Sequence, residues 1–329
     1  MVENTYNGGL AIVIPAYKLD YLRDTLDSLK MQTNHNFSVY IGDDNSPSDL
    51  WNIVKEFTSD LNIIYKKFGN NLGGTDLVAH WNRCISLVGN EEWIWLFSDD
   101  DLLEPNCIEC FYNYISLNPK VELVHFDVKV IDKKGVEILD IPVNRFPKVL
   151  SSVLFFEEKI RGNLQSFVVE YIFKRSLFDR EGGFANFDLA WCADDATWIK
   201  FAAKSGIYTI DEAFVYWRYS GINISSLTNN LTVLERKLKA KLDYLIWVKN
   251  FLHKNNIQSN LGYTELIRWF LLEVTENRQI NLDYRIKLSF IHSYKLLGFF
   301  GGIFSLYYII YFEFKKKLAK HIKQYLKNK

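Results

Sequence analysis

Three consecutive carboxylates, Asp99, Asp100 and Asp101, follow the unbroken apolar run Trp93 to Phe97. A run that bulky, with no polar alternation, predicts a strand buried on both faces, so its acids emerge where the strand meets solvent. Like charges packed at one strand end raise one another's proton affinity, and a divalent cation relieves that cost. Oxygen ligands suit Mg²⁺ or Mn²⁺, which are held by one or two carboxylates plus substrate phosphates. The pattern points to chemistry on a phosphorylated donor. The competing reading is an acidic turn ahead of a helix that starts at Glu104-Pro105. A second acid pair, Asp43-Asp44, closes the run Phe37 to Ile41, and a third, Asp194-Asp195, opens a helical stretch. Adjacent side chains at a helix start point about 100° apart. One of the third pair can therefore face an acceptor and take its proton, while the other caps the helix.

These acids need a frame, and the chain supplies alternating strand and helix signals. Apolar strands are expected at Leu10 to Ile14, Phe37 to Ile41, Leu61 to Tyr65 and Trp93 to Phe97. Helical spacing is expected between them, at Leu19 to Gln32, Leu50 to Phe57 and Leu77 to Leu87, and again at Asn106 to Leu117. Alternation of this kind predicts a mostly parallel sheet covered on both faces. Right-handed crossovers then put the post-strand loops, acids included, on one edge. A hairpin is expected from Val121 to Val130 and Val136 to Leu139, with later strands at Phe167 to Phe173 and Phe214 to Tyr219. From Leu231 the pattern becomes helical: Leu231 to Leu252, Tyr263 to Glu276 and Leu282 to Leu297. The expected organisation is a catalytic domain over residues 1–225 and a helical C-terminal region over 226–329.

The formal net charge is zero, but residues 313–329 carry seven lysines against one acid, so the remaining body is net acidic. An acidic body excludes general nucleic-acid binding. Four scattered cysteines do not make a disulfide framework, and Cys107-x-x-Cys110 reads as helical neighbours rather than a metal or redox pair. The early apolar run lacks a basic region before it, which argues against a secretory signal and for a reducing, cytosolic setting.

Five motifs stand in order: Ile12-Val13-Ile14-Pro15-Ala16-Tyr17, Ile41-Gly42-Asp43-Asp44-Asn45-Ser46, Asn71-Leu72-Gly73, Asp99-Asp100-Asp101 with Pro105, and Gly182-Gly183-Phe184 leading to Asp194-Asp195. Over residues 10–225 the chain resembles the family-2 inverting nucleotide-sugar glycosyltransferases. The resemblance implies a GT-A fold, a Rossmann-like mostly parallel sheet with helices on both faces, to which the helical C-terminus is appended. It implies that Pro15 and Tyr17 line the nucleotide pocket, that Asp44 accepts from the base, and that Asn71 and Gly73 let backbone approach the donor. It places the metal ligand at Asp100, with Asp99 reaching ribose or metal and Asp101 as helper, around Mn²⁺ or Mg²⁺. Arg218 is the candidate for the diphosphate, and Asp195 aligns with the catalytic base. The chain departs from the pattern at Ser98, where many members carry an acid, at Asp194 in place of Glu, and in lacking a late histidine. The donor implied is a nucleotide-sugar, a UDP-sugar first, and the acceptor a hydroxyl of a surface polysaccharide or lipid-linked oligosaccharide. A non-catalytic nucleotide- or glycan-binding protein is the alternative on this scaffold. Nucleotidyl transfer would need a glycine- and lysine-rich loop after the first strand, which Pro15-Ala16-Tyr17-Lys18 does not supply.

Leu296 to Phe312 is 17 residues without a charge, short of the roughly 20 that a spanning helix needs. Beyond it, Leu318, Ile322, Tyr325 and Leu326 make one face and Lys316, Lys317, Lys320 and Lys323 the other, the pattern of an in-plane amphipathic helix. Residues 296–329 are expected to make a peripheral contact with the inner face of the cell membrane, with a homo-oligomer contact as the competing use.

Overall fold

The computed structural model describes residues 8–141, 143, 145–221, 231–276 and 281–327. It divides into two compact units, Met1–Lys159 with Leu164–Asn223, and Ile160–Asn163 with Ile224–Lys329.

In the first unit, β1 (Leu10–Ala16), β2 (Phe37–Asp43), β3 (Ile63–Lys67) and β4 (Trp93–Leu96) form a parallel group ordered β3-β2-β1-β4. Helices α1 (Leu22–Lys30), α2 (Trp51–Val54) and α3 (Leu77–Ile85) alternate with them. The core follows from composition: β1 and β4 are almost wholly buried, and Trp93 and Trp95 are 0% exposed. Burial on both faces explains why neither strand alternates.

Beyond β4 the sheet becomes mixed. Helix α4 (Cys107–Leu117) leads to β6 (Leu123–Ile131), and β8 (Tyr171–Lys174) runs antiparallel between β4 and β6. The long β9 (Ile207–Arg218) pairs in parallel with β6. Two-residue strands β5 (Leu102–Leu103) and β7 (Val149–Leu150) pair with β9. Helices α5 (Ser152–Arg161), α6 (Arg175–Arg180) and α7 (Ala193–Phe201) complete the unit's elements. The expected hairpin after β6 is smaller than its pattern suggested. Its return arm makes one bridge, Ile131 to Glu137, because a turn held by Asp132 leaves few residues to pair.

The second unit holds α8 (Leu231–Lys254), α9 (Tyr263–Glu276) and α10 (Leu282–Lys327). By length and composition Leu282–Ala319 is apolar enough to cross a membrane. It is not one rod, however. Gly298 adopts φ 70°, ψ −160° and breaks the helix. Arg285 and Glu313 then meet at 2.7 Å, although 28 residues of straight helix would separate them by about 42 Å. A Cβ on Gly302 would lie 2.8 Å from the Phe290 ring, and one on Gly301 2.6 Å from the Ser293 carbonyl oxygen. The two arms are thus an antiparallel hairpin whose close approach depends on these glycines.

Candidate active site

Three loops meet at the carboxyl ends of β1, β2 and β4. The Asp99 carboxylate accepts hydrogen bonds from the Tyr17 and Lys18 backbone N–H groups at 2.8 and 2.7 Å. The Tyr17 carbonyl accepts from Ser46 Oγ at 2.7 Å, tying the β1 loop to the β2 loop. Asp43 accepts from the Ser46 backbone and the Tyr65 hydroxyl, so it is the turn-forming acid of its pair. Asp44 accepts from Leu72 and Gly73 N–H at 2.8 Å each and pairs with the Arg83 guanidinium. A Cβ on Gly73 would stand 2.7 Å from that carboxylate, which is why glycine is needed there. Asn71 turns its side chain onto Gly74 N–H and shapes the same loop. Pro15 lies inside the β1–β2 pairing, and Tyr17 is 42% exposed at the sheet edge.

The three acids divide their work. Asp101 accepts from Ser98 Oγ at 2.5 Å and from Arg218 N–H at 2.7 Å, facing inward. Burial, then the neighbouring Asp100, pushes its proton affinity up to about 8. Asp101 thus fixes the turn from its inner side. Burial, offset by Lys18, leaves Asp99 raised to about 6. Asp100 carries a cation already: Lys18 Nζ lies 2.6 Å from its Oδ2. That stand-in charge fits a divalent ion at Asp100, with Asp99 beside it. Among the described residues no three His, Cys, Asp or Glu side chains converge as a metal cage. The remaining ligands would have to be phosphate oxygens and water, as is usual for Mg²⁺.

Arg218 lies against the acidic turn. Its side chain is 0% exposed, its Nε donates to the Asp100 carbonyl at 2.7 Å, and its guanidinium pairs with Asp24 and covers the Tyr21 ring. The guanidinium is spent on holding the acidic turn from behind. The direction of a strand side chain depends on register, which no local pattern around Arg218 sets.

Asp195 approaches from another direction. Continuing the antiparallel register of β4 and β8 sets Glu170 level with Phe97, two residues before Asp99. Trp95 Nε1 donates to the Val169 carbonyl at 2.7 Å and fixes that segment. Lys159, interacting electrostatically with Glu170, forms an ion pair with Asp195 at 2.9 Å. Asn186 donates to Asp76 at the start of α3, and Phe184 packs on Trp81, so the loop before α7 is fastened to the donor-side elements. The helix begins after Cys192 with no side-chain cap, so Asp194 is not the cap expected of it. Burial, then Asp195, raises the Asp194 carboxyl to about 7. Leu189, Ala190 and Cys192 all have φ between 53° and 64°. Left-handed backbone at three non-glycine residues costs roughly 1–2 kcal/mol each and clusters at functional sites.

Sequence reasoning missed Lys18, Lys159 and Glu170. Lys18 adjoins the first motif and the other two lie outside every motif, but Lys18 and Lys159 have their ion-pair partners far away in sequence, so their signal exists only once the chain is folded.

Glu170 gives a pH-dependent outcome. It is 2% exposed, and burial holds its carboxyl well above the ordinary range. It stays neutral in the folded chain at pH values where the unfolded chain ionises it. Its stabilisation is complete below the unfolded value of 4.5 and is lost as pH rises toward the folded value, at about 1.4 kcal/mol per pH unit. Glu170→Gln should flatten the fall in urea midpoint between pH 5 and 8 relative to wild type. Parallel curves for the two proteins would refute the assignment.

Residues 11–170, just under half of the chain, match the family described as Glycosyl transferase family 2. An uncharacterised glycosyltransferase of Rickettsia typhi is 27% identical over 221 residues, 65% of each chain, so this chain spans a little under two thirds of that relative. Another from Methanocaldococcus jannaschii is 24% identical over 197 residues, 59% of this chain and 64% of its own. Among solved structures, S. aureus TarS 1-349 in complex with UDP-GlcNAc aligns with a TM-score of 0.61 at 14% identity, covering 88% of this chain and 81% of that one. The mannosyltransferase PcManGT of Pyrobaculum calidifontis, in complex with GDP-Man and Mn²⁺, aligns at 0.52 with 14% identity, over 96% and 89%. At such identities the likeness is one of fold, the GT-A architecture.

Proposed function

We propose that this chain, whose residues 11–170 match the family 2 glycosyl transferases, moves a sugar from a nucleotide-diphosphate donor to an acceptor hydroxyl by direct displacement. The observation that carries the reading is the convergence of the β1, β2 and β4 ends on one acidic edge. Nucleotide-sugar donors, one of them with Mn²⁺, in the complexes of TarS and PcManGT support the donor class.

Tyr17, Asp44 and the Asn71–Gly73 loop would hold the nucleotide. Asp100, with Asp99, would hold Mn²⁺ or Mg²⁺, which when bound offsets the charge of the departing diphosphate. The acceptor oxygen attacks the anomeric carbon, the bond from that carbon to the phosphate oxygen breaks, and its electron pair leaves with the nucleotide. Asp195 takes the hydroxyl proton. A single displacement inverts the anomeric configuration. The direct experiment incubates the full chain with UDP-GlcNAc, GDP-mannose and related donors, with Mn²⁺ or EDTA. Metal-dependent thermal stabilisation and release of nucleotide diphosphate are expected. No response to any donor in either assay would refute the reading.

The acceptor proposed is a polysaccharide or lipid-linked oligosaccharide at the inner membrane face. On the second arm of α10, Phe299, Phe300, Ile303, Tyr307, Ile310 and Phe314 are all at least 47% exposed. Their three- and four-residue spacing makes one stripe, adjoining exposed Lys315 and Lys317. The hairpin at Gly298 favours lying in the interface over crossing it. The side chains of Lys320, Lys323, Tyr325 and Leu326 fall outside the described residues. Full-length protein should sediment with vesicles containing anionic lipid, less so in high salt, and Phe299→Ser with Phe300→Ser should weaken it. A salt-independent dimer that ignores vesicles would favour the homo-oligomer use instead.

A further inference from the structure

Lys159 has no part in the displacement just described, yet its ammonium lies 2.9 Å from Asp195 Oδ1. It comes from α5, in the region between β7 and β8 that has no motif. The charged and titratable groups around the pair are Asp194 on the same helix, Glu170 and Tyr171 at the start of β8, and Cys192 before α7. Burial alone would strip the ammonium of its proton, but Asp195 and Asp194 outweigh it and raise its proton affinity.

Two carboxylates here are similarly buried and differently partnered. Glu170 is 2% exposed and Asp195 6%. Glu170 Oε1 and Asp195 Oδ1 are both buried without a well-directed hydrogen bond among the described residues, and burial drives Glu170 to the neutral form. A carboxyl left neutral in this way cannot accept an acceptor's proton. Asp195 alone of the two has an ammonium within ion-pair distance. Environments that separate two carboxyl groups in this manner assign them different roles.

We propose that Lys159 is a positioning residue for transfer: its ammonium engages Oδ1 of the buried Asp195 carboxylate, leaving Oδ2 for the acceptor hydroxyl. The proposal rests on reading Asp195 as the acceptor-side base. It makes the α5 segment, rather than the acid pair alone, the element that sets when the base is competent.

The test needs no donor. The full chain is labelled with [13Cγ]aspartate, and the Asp195 resonance is assigned by its loss in Asp195→Asn. Lys159→Met should move the midpoint of that titration upward by about one to three pH units, the effect of removing an opposite charge at contact. Lys159→Arg should leave it near wild type. If the methionine variant does not fold, Lys159→Gln removes the charge while keeping a donor and is read the same way. An unmoved midpoint in the neutral variants, or an equal rise in Lys159→Arg, overturns the proposal. Thermal stabilisation by UDP with Mn²⁺ is measured alongside. Its absence from wild type would refute the transferase reading separately, while its selective loss in Lys159→Met would make the lysine a donor-side support and overturn the positioning role.

Discussion

Asp195→Asn is expected to lower kcat by about 10² to 10⁴-fold, the contribution of a positioned general base, while UDP affinity stays within about twofold. Asparagine keeps the shape of the side chain and loses its capacity to accept a proton. The loss should appear equally in kcat and kcat/KM for the acceptor, because the proton is taken only as the new bond forms. The donor side is built from different loops: Tyr17, Lys18, Ser46 and Asp99 are bonded to one another without Asp195. Nucleotide binding should therefore survive. Calorimetric titration with UDP and Mn²⁺, beside steady-state transfer, separates the outcomes. A parallel collapse of binding and turnover would mean that Asp195 maintains the fold at the head of α7.

What was legible beforehand follows a physical division. The four parallel strands were readable because burial on both faces demands uninterrupted apolar runs, and Trp93 to Phe97 could be little else. Asp43 was readable as a turn acid because its partner, Ser46, is three residues away. Arg83 and Asp44 are 39 residues apart, Lys159 and Asp195 36, and Lys18 and Asp100 82; no local pattern announces such pairs. Arg218 was placed near the right turn, but its direction depended on how β9 pairs with β6, including a register shift between Phe126 and Asp127. The turn in the C-terminal segment was hidden for a related reason. An uncharged stretch of 17 residues reads as continuous, and Gly298 shows its consequence only when Arg285 and Glu313 are seen to meet.

Asp100→Asn is expected to abolish metal-dependent binding of nucleotide diphosphate and to lower kcat/KM by about 10³-fold or more, the several kcal/mol that a Lewis-acid cation supplies to a departing phosphate. The argument is one of charge. Asp101 is committed to Ser98 and Arg218, and one oxygen of Asp99 to two backbone N–H groups. Among the described residues the Asp100 carboxylate pairs with Lys18, an ammonium at 2.6 Å that a divalent ion and a diphosphate can together displace. Removing the Asp100 charge leaves Lys18 to Asp99, at 3.8 Å from its Oδ1, and takes away the principal anchor for the ion. EDTA should inhibit wild type and add nothing to the variant. Asp101→Asn supplies the contrast: its amide oxygen can still accept from Arg218, and Mn²⁺ affinity, read by electron paramagnetic resonance in the presence of UDP, should remain close to wild type. Equal loss of Mn²⁺ in both variants would contradict the division of labour among the three acids and return Asp101 to the metal.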